Sequence, residues 1–305
     1  MNRSAAFAFL LLPFLGAPLA SQEAAPAAQA PAPAVPLAQR LKAERPEVDR
    51  LLDALQPKEA LAKAEALLPA AKPTWDNTDG NAQYRSYTTF PDYASAYYLA
   101  SRAAISAGEW EKGLDYLRKA QAVLQDNAAQ AQVAFPKISD AYLAQAQRGR
   151  DMLKDNDAFI KELRAKTNPD AGDLQQLGLV AAEEKGIANN EKWAKTFLSY
   201  IDAAKKDATR YDDSVKALED RIKAEETNIA GYKAGKGDKL KWVDAIVSNP
   251  SYLTTSFPEK RARFEFLCRL AVLDPANPKV GNAMDVELGK VPPPPVKAAK
   301  PKKHK

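Results

Sequence analysis

The sequence predicts an all-α protein. Apolar residues recur at three- and four-residue spacing through most of the chain, no stretch sustains the alternation of a half-buried strand, and prolines and short polar residues fall where helices should begin and end. Val48, Leu51, Leu52 and Leu55 make one short apolar face. Ala60, Leu61, Ala64, Leu67 and Leu68 make the next, opened by Pro57 and closed by Pro69 and Pro73. A polar turn is expected over Trp75 to Asn81, because Asp, Asn and Gly are the residues that turns use. Its likeness to a calcium loop fails, since aligning Gly80 with the invariant glycine puts Trp75 where the first carboxylate belongs.

A helix is expected to start at Thr89-Phe90-Pro91-Asp92, a hydroxyl followed three residues later by an acid. Tyr93, Tyr97, Ala100 and Ala104 then recur at helical spacing, Ala107-Gly108-Glu109 breaks the pattern, and Trp110, Gly113, Leu114, Leu117, Ala120 and Leu124 resume it. Read as Gly108-x-Trp110 with Gly113, Leu117 and Ala120, this segment resembles a tetratricopeptide helix pair. Leu174, Leu177, Gly178 and Ala181, followed by Trp193, Phe197, Tyr200 and Ala203, resemble a second pair, and Leu273-Asp274-Pro275-Ala276-Asn277-Pro278 resembles the junction between such helices. The resemblance implies antiparallel helix pairs that present a surface to a partner. The pairs stand at irregular distances rather than at the family's period of about 34 residues, so a compact helical domain over 41–290 is expected, not a regular superhelix.

The Thr89 motif has an echo in Ser256-Phe257-Pro258-Glu259, offset by 167 residues, and at the same offset Trp75 falls on Trp242, Tyr97 on Phe264, Arg102 on Arg269 and Ala104 on Ala271. Between the copies runs a seven-residue pattern, with Ile201, Ala208, Val215, Ile222 and Ile229 in one register and Ala204, Tyr211, Leu218, Glu225 and Tyr232 in the other. This predicts one long helix with a coiled-coil-like seam. Dimerisation through that seam would set Glu225 against its symmetry mate. Packing within the chain, as a helical hairpin on Ile138 to Leu163, is therefore expected, with a monomer as the result.

The ends of the chain differ from its middle. Arg3, the apolar run Ala5 to Leu15 and the small residues near Ala20 read as a signal peptide over 1–20, interrupted by Pro13, Gly16 and Pro18 and too short to span a bilayer. An Ala/Pro-rich disordered linker over 21–40 and a Pro/Lys-rich disordered tail over 291–305 are expected to bracket the domain. The net charge of +5 comes from these ends: Arg3 and five lysines of the tail removed, 38 basic groups face 39 acidic ones. A near-neutral domain is no nucleic-acid reader. The tail reads first as a solvated, solubilising run, and its alternative is contact with an anionic envelope polymer or a lipid headgroup.

The residue inventory narrows the chemistry. His304 is the only histidine and Cys268 the only cysteine, so no Ser-His-Asp or Cys-His arrangement, His-based metal site or internal disulfide is available. Cys268 sits in an apolar helical run and reads as a small buried hydrophobe. Gly231 to Lys236 is one residue short of a phosphate-binding loop, with Gly237 where Ser or Thr belongs. Adjacent acids such as Glu183-Glu184 point about 100° apart on a helix and suit solvent better than paired-carboxylate catalysis. No cofactor or metal is called for.

These features point to an exported, periplasmic or secreted, non-enzymatic scaffold whose partner is another protein or peptide. The alternatives are a carboxylate-dependent envelope enzyme or enzyme subunit, and a structural component of an envelope or secretion assembly. The expected contact surface is the aromatic-rich stretch with Trp75, Tyr84, Arg85, Tyr87 and Phe90, read as a loop and the helix after it.

Overall fold

Short polar side chains and prolines start many of the helices. Asp79 accepts a hydrogen bond from the Ala82 N–H at 2.8 Å, Asp170 and Asp173 form a reciprocal capping box, and Asp238, Asn249 and Asn277 each accept from the turn that follows. Pro57, Pro250 and Pro278 lie in the first turn, where a missing N–H forfeits no intrahelical bond. The computed structural model describes residues 35–232 and 237–292. In chain order its elements are α1 (Leu37–Asp53), α2 (Pro57–Glu65), α3 (Gly80–Ser106), α4 (Trp110–Asp155), α5 (Asp157–Ala165), α6 (Ala171–Ala208), α7 (Asp212–Ala230), α8 (Lys239–Val247), α9 (Pro250–Ser256), α10 (Lys260–Leu273) and α11 (Pro278–Glu287). No strand occurs among the described residues, and none of their helices is long and apolar enough to cross a membrane.

Packing follows the apolar faces. α1, α2 and the second half of α3 share a core centred on Val48, Ala60, Leu61, Leu99 and Ala103. The chain turns at Gly108 and α4 runs back antiparallel to α3. Gly113 lets the two approach: a Cβ there would lie 2.7 Å from Ile105, and the Ser101 hydroxyl donates to the Gly113 carbonyl at 2.7 Å. With 46 residues, α4 is about 69 Å long at 1.5 Å per residue. α6 lies antiparallel along its second half, where a Cβ on Gly149 would sit 2.8 Å from Ile187. α7 continues along the first half, with Gln121 donating to Asp212 at 2.6 Å and Arg118 to Glu219 at 2.8 Å. α8 to α11 enclose a further core of Val243, Leu267, Leu270 and Val280. The described residues from Pro36 onward make one compact unit.

Several boundaries differ from the sequence expectation, each for a physical reason. α1 begins at Leu37, inside the stretch read as linker, because Leu41 and Val48 bury against α2 and α3. α3 begins at Gly80 instead of near Asp92, and Thr89-Phe90-Pro91-Asp92 lies in its middle. Pro91 cannot donate to the carbonyl of Tyr87, four residues back. Asn127 of α4 donates to that carbonyl instead, at 3.2 Å, so the helix passes through the proline. The Thr89 hydroxyl donates to the Ser86 carbonyl and caps nothing, whereas Ser256 closes α9 and α10 starts after Glu259. The echoed motif thus has two different structures.

The seam is likewise two elements. α6 stops at Ala208 and α7 starts at Asp212, because Tyr211 turns inward and stacks on Tyr98 with ring centroids 5.0 Å apart. Ile201, Ala204 and Ala208 pack with Ile138 and Tyr142, but Val215 and Leu218 pack with Trp110, Leu114 and Leu117 at the other end of α4. The expected partner run is itself divided, since α4 ends at Asp155 and Ile160 and Leu163 belong to α5. Glu225 lies opposite Arg269, not in a seam of like charges. The stretch read as a signal peptide (1–20), residues 21–34 of the stretch read as linker and the tail beyond Pro292 lie outside the described residues.

Candidate functional site

The helical start at Asp79 decides what the aromatic stretch becomes. Tyr84, Arg85, Tyr87 and Phe90 are not in a loop: they ride the first three turns of α3, and only Trp75 precedes the helix. Residues three apart on a helix are neighbours, so Tyr84, Tyr87 and Phe90 form one stripe. That stripe meets Phe135 on α4 and Phe197 and Tyr200 on α6, and Tyr142 of α4 and Trp193 of α6 join it through Phe197.

The rings interlock. Phe135 is the centre, 5.1 Å from Tyr87, 5.3 Å from Phe197 and 6.1 Å from Trp75. Tyr84 stacks on Tyr200 at 5.6 Å and meets Phe197 edge-on at 6.0 Å, while Tyr142 stacks on Phe197 at 5.8 Å. Edge-to-face and offset geometries of this kind each add about 0.5–1.5 kcal/mol beyond area burial.

The five expected site residues divide by exposure. Phe90 is 1% exposed and belongs to the core, beside Trp110 and Leu114, so it offers no contact surface; its place on the inward face of α3 is the reason. Trp75 is half-buried between two cores, with its indole Nε1 buried and unpartnered. Tyr87 is half-buried and directs its hydroxyl toward the Tyr200 carbonyl at 3.5 Å. Tyr84, at 37%, and Arg85 are exposed. Trp193, 49% exposed and 6.4 Å from Phe197, extends the same cluster to solvent from α6. The outcome is a packed aromatic base with Tyr84 and Trp193 as its wet edges.

Electrostatics around the base are those of held phenols. The Tyr200 hydroxyl is pushed up to about 12 by its hydrogen bond with Tyr84 and by burial. Burial, then the nearby Asp207 carboxylate, raises Tyr87. Arg85 has Asp76 as its neighbouring charge, and Asp76 is lowered first by the Thr78 backbone N–H and hydroxyl and then by Arg85. Among the described residues no group of three His, Cys, Asp or Glu side chains is placed to hold a metal ion.

Sequence reasoning missed Phe135, Tyr142 and Trp193 as members of this cluster. Their signal was present: residues 193, 197 and 200 share a helical face, as do 135 and 142, and each stripe matches the one on α3. No protein-family model, curated protein or solved structure matches the chain.

Proposed function

We propose that the protein is an exported scaffold, periplasmic or secreted, that holds another protein or peptide on the aromatic ledge where α3 meets α6. The observation that carries this reading is the exposure of Tyr84 and Trp193 over a buried base of Phe135 and Phe197, with Tyr87 half-buried beside it. Contact energy concentrates on aromatic anchors whose surroundings are already rigid, because little conformational freedom is then lost on binding. Arg85 adds a charge at the rim. The scaffold is read as tetratricopeptide-like in the α3–α4 pair, where Gly108 makes the turn and Gly113 the close approach, and as a coiled-coil-like hairpin in α4 with α6. Export rests on the leader-like first twenty residues, and the lysine-rich tail is available to an anionic envelope polymer or lipid headgroup.

The test pairs Tyr84→Ser with Trp193→Ser in the full chain and measures thermal stability together with capture of partners from envelope extract. Capture lost at a temperature where both variants remain folded supports the ledge. A lowered melting temperature with capture retained overturns it, because both residues would then be packing only. Sequencing the mature N-terminus tests export, with a start near Ser21 expected.

A further inference from the structure

Far from the aromatic ledge, three arginines from three separate elements line one pocket of about 360 Å³. Arg45 comes from α1, Arg102 from α3 and Arg210 from the α6–α7 junction, and no carboxylate lines the pocket with them. Its aromatic wall is the stacked pair Tyr98 and Tyr211. Tyr211 is the residue that breaks the expected long helix, so the kink between α6 and α7 is also what brings Arg210 and Ser214 to the pocket.

The cations are held but not used up. Arg102 lies 3.0 Å from Asp49 Oδ1, in an ion pair that lacks hydrogen-bond geometry. Arg210 pairs with Asp207, its neighbour three residues back. Arg45 makes no hydrogen bond or salt bridge among the described residues. The three guanidinium groups are the only charged side chains that line the pocket, with Asp49 and Asp207 as their paired carboxylates behind it. Ser214 stands in the first turn of α7, where the Asp212 N–H is taken by the Thr209 carbonyl at 3.2 Å. Asp212 and Asp213 stand in that turn too, but Asp212 is engaged by Gln121 on the α4 side. Converging arginine forks around a small cavity match an oxyanion with several acceptor atoms, such as a phosphoryl group, better than a single carboxylate.

We propose that this pocket is a binding site for a phosphoryl oxyanion, with Arg45, Arg102 and Arg210 as its ligands. The site is independent of the aromatic ledge and does not rest on the scaffold reading.

Inorganic phosphate is the first probe, titrated into the full chain against sodium chloride of equal ionic strength, with melting temperature and calorimetric heat as readouts. A saturable rise with phosphate beyond that with chloride is expected. Arg45→Gln, at an exposed position with no partner to lose, should keep the fold and weaken phosphate binding about ten-fold, as should Arg210→Gln, through loss of a charge-assisted bond. Vesicles of phosphatidylglycerol separate the two sources. Competition with phosphate that Arg45→Gln abolishes assigns the site to a lipid headgroup, and absence of competition assigns it to a soluble phosphoryl compound. Equal responses to phosphate and chloride, or unchanged phosphate binding in Arg45→Gln, overturns the proposal.

Discussion

Arg269 of α10 and Glu225 of α7 form a buried, two-pronged ion pair, with Nε 3.0 and 3.1 Å from the two carboxylate oxygens and Nη2 2.6 Å from Oε2. Their side chains are only 3% and 6% exposed. The same guanidinium donates to Glu111 at 2.7 and 2.5 Å and to the Gly108 carbonyl at 3.1 Å, and lies 4.7 Å over the Trp110 ring. One side chain thereby ties α10 to α7, to α4 and to the turn between α3 and α4.

Replacing Arg269 by Met leaves Glu225 buried and unpaired, and should cost about 3–5 kcal/mol, the range for removing one member of a buried pair. Glu225→Gln should cost less, because Glu111 still neutralises the arginine. Denaturant unfolding of both single variants and the double variant closes the cycle. A double variant as unstable as the sum of the singles would show that the pair is not coupled.

Gly108 sits at φ +82°, and a Cβ there would lie 2.5 Å from the Arg269 nitrogen and the Cys268 oxygen. Gly108→Ala meets both the left-handed backbone penalty of about 1–2 kcal/mol and backbone atoms that have nowhere to go. It should lower stability by more than that penalty alone and loosen α10 from the turn. Cys268 reports on the loosening: burial pushes its thiol up to about 12, so native wild type should resist thiol reagents while the variant labels faster. Equal labelling rates would contradict this.

Two phenols set a limit at high pH. Tyr116 is pushed up to about 12 by burial and by its hydrogen bond to Glu65, and Tyr200 to about 12 by its hydrogen bond with Tyr84 and by burial. Both hold their protons more tightly in the folded chain than at the unfolded value near 10. Their contribution to stability is therefore fully present below about pH 10 and lost as pH rises through about 12. Tyrosinate absorbance should show the late titration and thermal melts the matching loss. Tyr84→Phe should move the Tyr200 component downward and leave that of Tyr116 in place, and a titration unchanged by it would remove Tyr84 as the cause.

The all-helical class was legible because it rests on local signals, the helical spacing of apolar residues and the break at Gly108. The lengths were not. Pro91 signals a helix start in any local reading, and only Asn127, 36 residues further on in sequence, lets α3 run through it. The seven-residue pattern over Ile201 to Tyr232 gave no sign of the inward turn at Tyr211, since the stack on Tyr98 that compensates the broken helix is a tertiary contact. Glu225 looked like a flaw in an apolar seam because its partner lies 44 residues away. For the site, the aromatic composition of the α3 stretch was visible, but which rings face water was not. That depended on α6 covering Phe135 and Tyr87 while leaving Tyr84 and Trp193 at the edge.

The bond from Asn127 to the Tyr87 carbonyl makes the first three turns of α3 a conditional helix. Without α4 alongside, the gap at Pro91 has only water to fill it, and the segment before the proline has little reason to stay aligned with the segment after it. The positions of Tyr84 and Tyr87 therefore depend on a side-chain amide that belongs to another helix. The stripe is a tertiary feature as much as a local one, held in line by α4 and covered by α6.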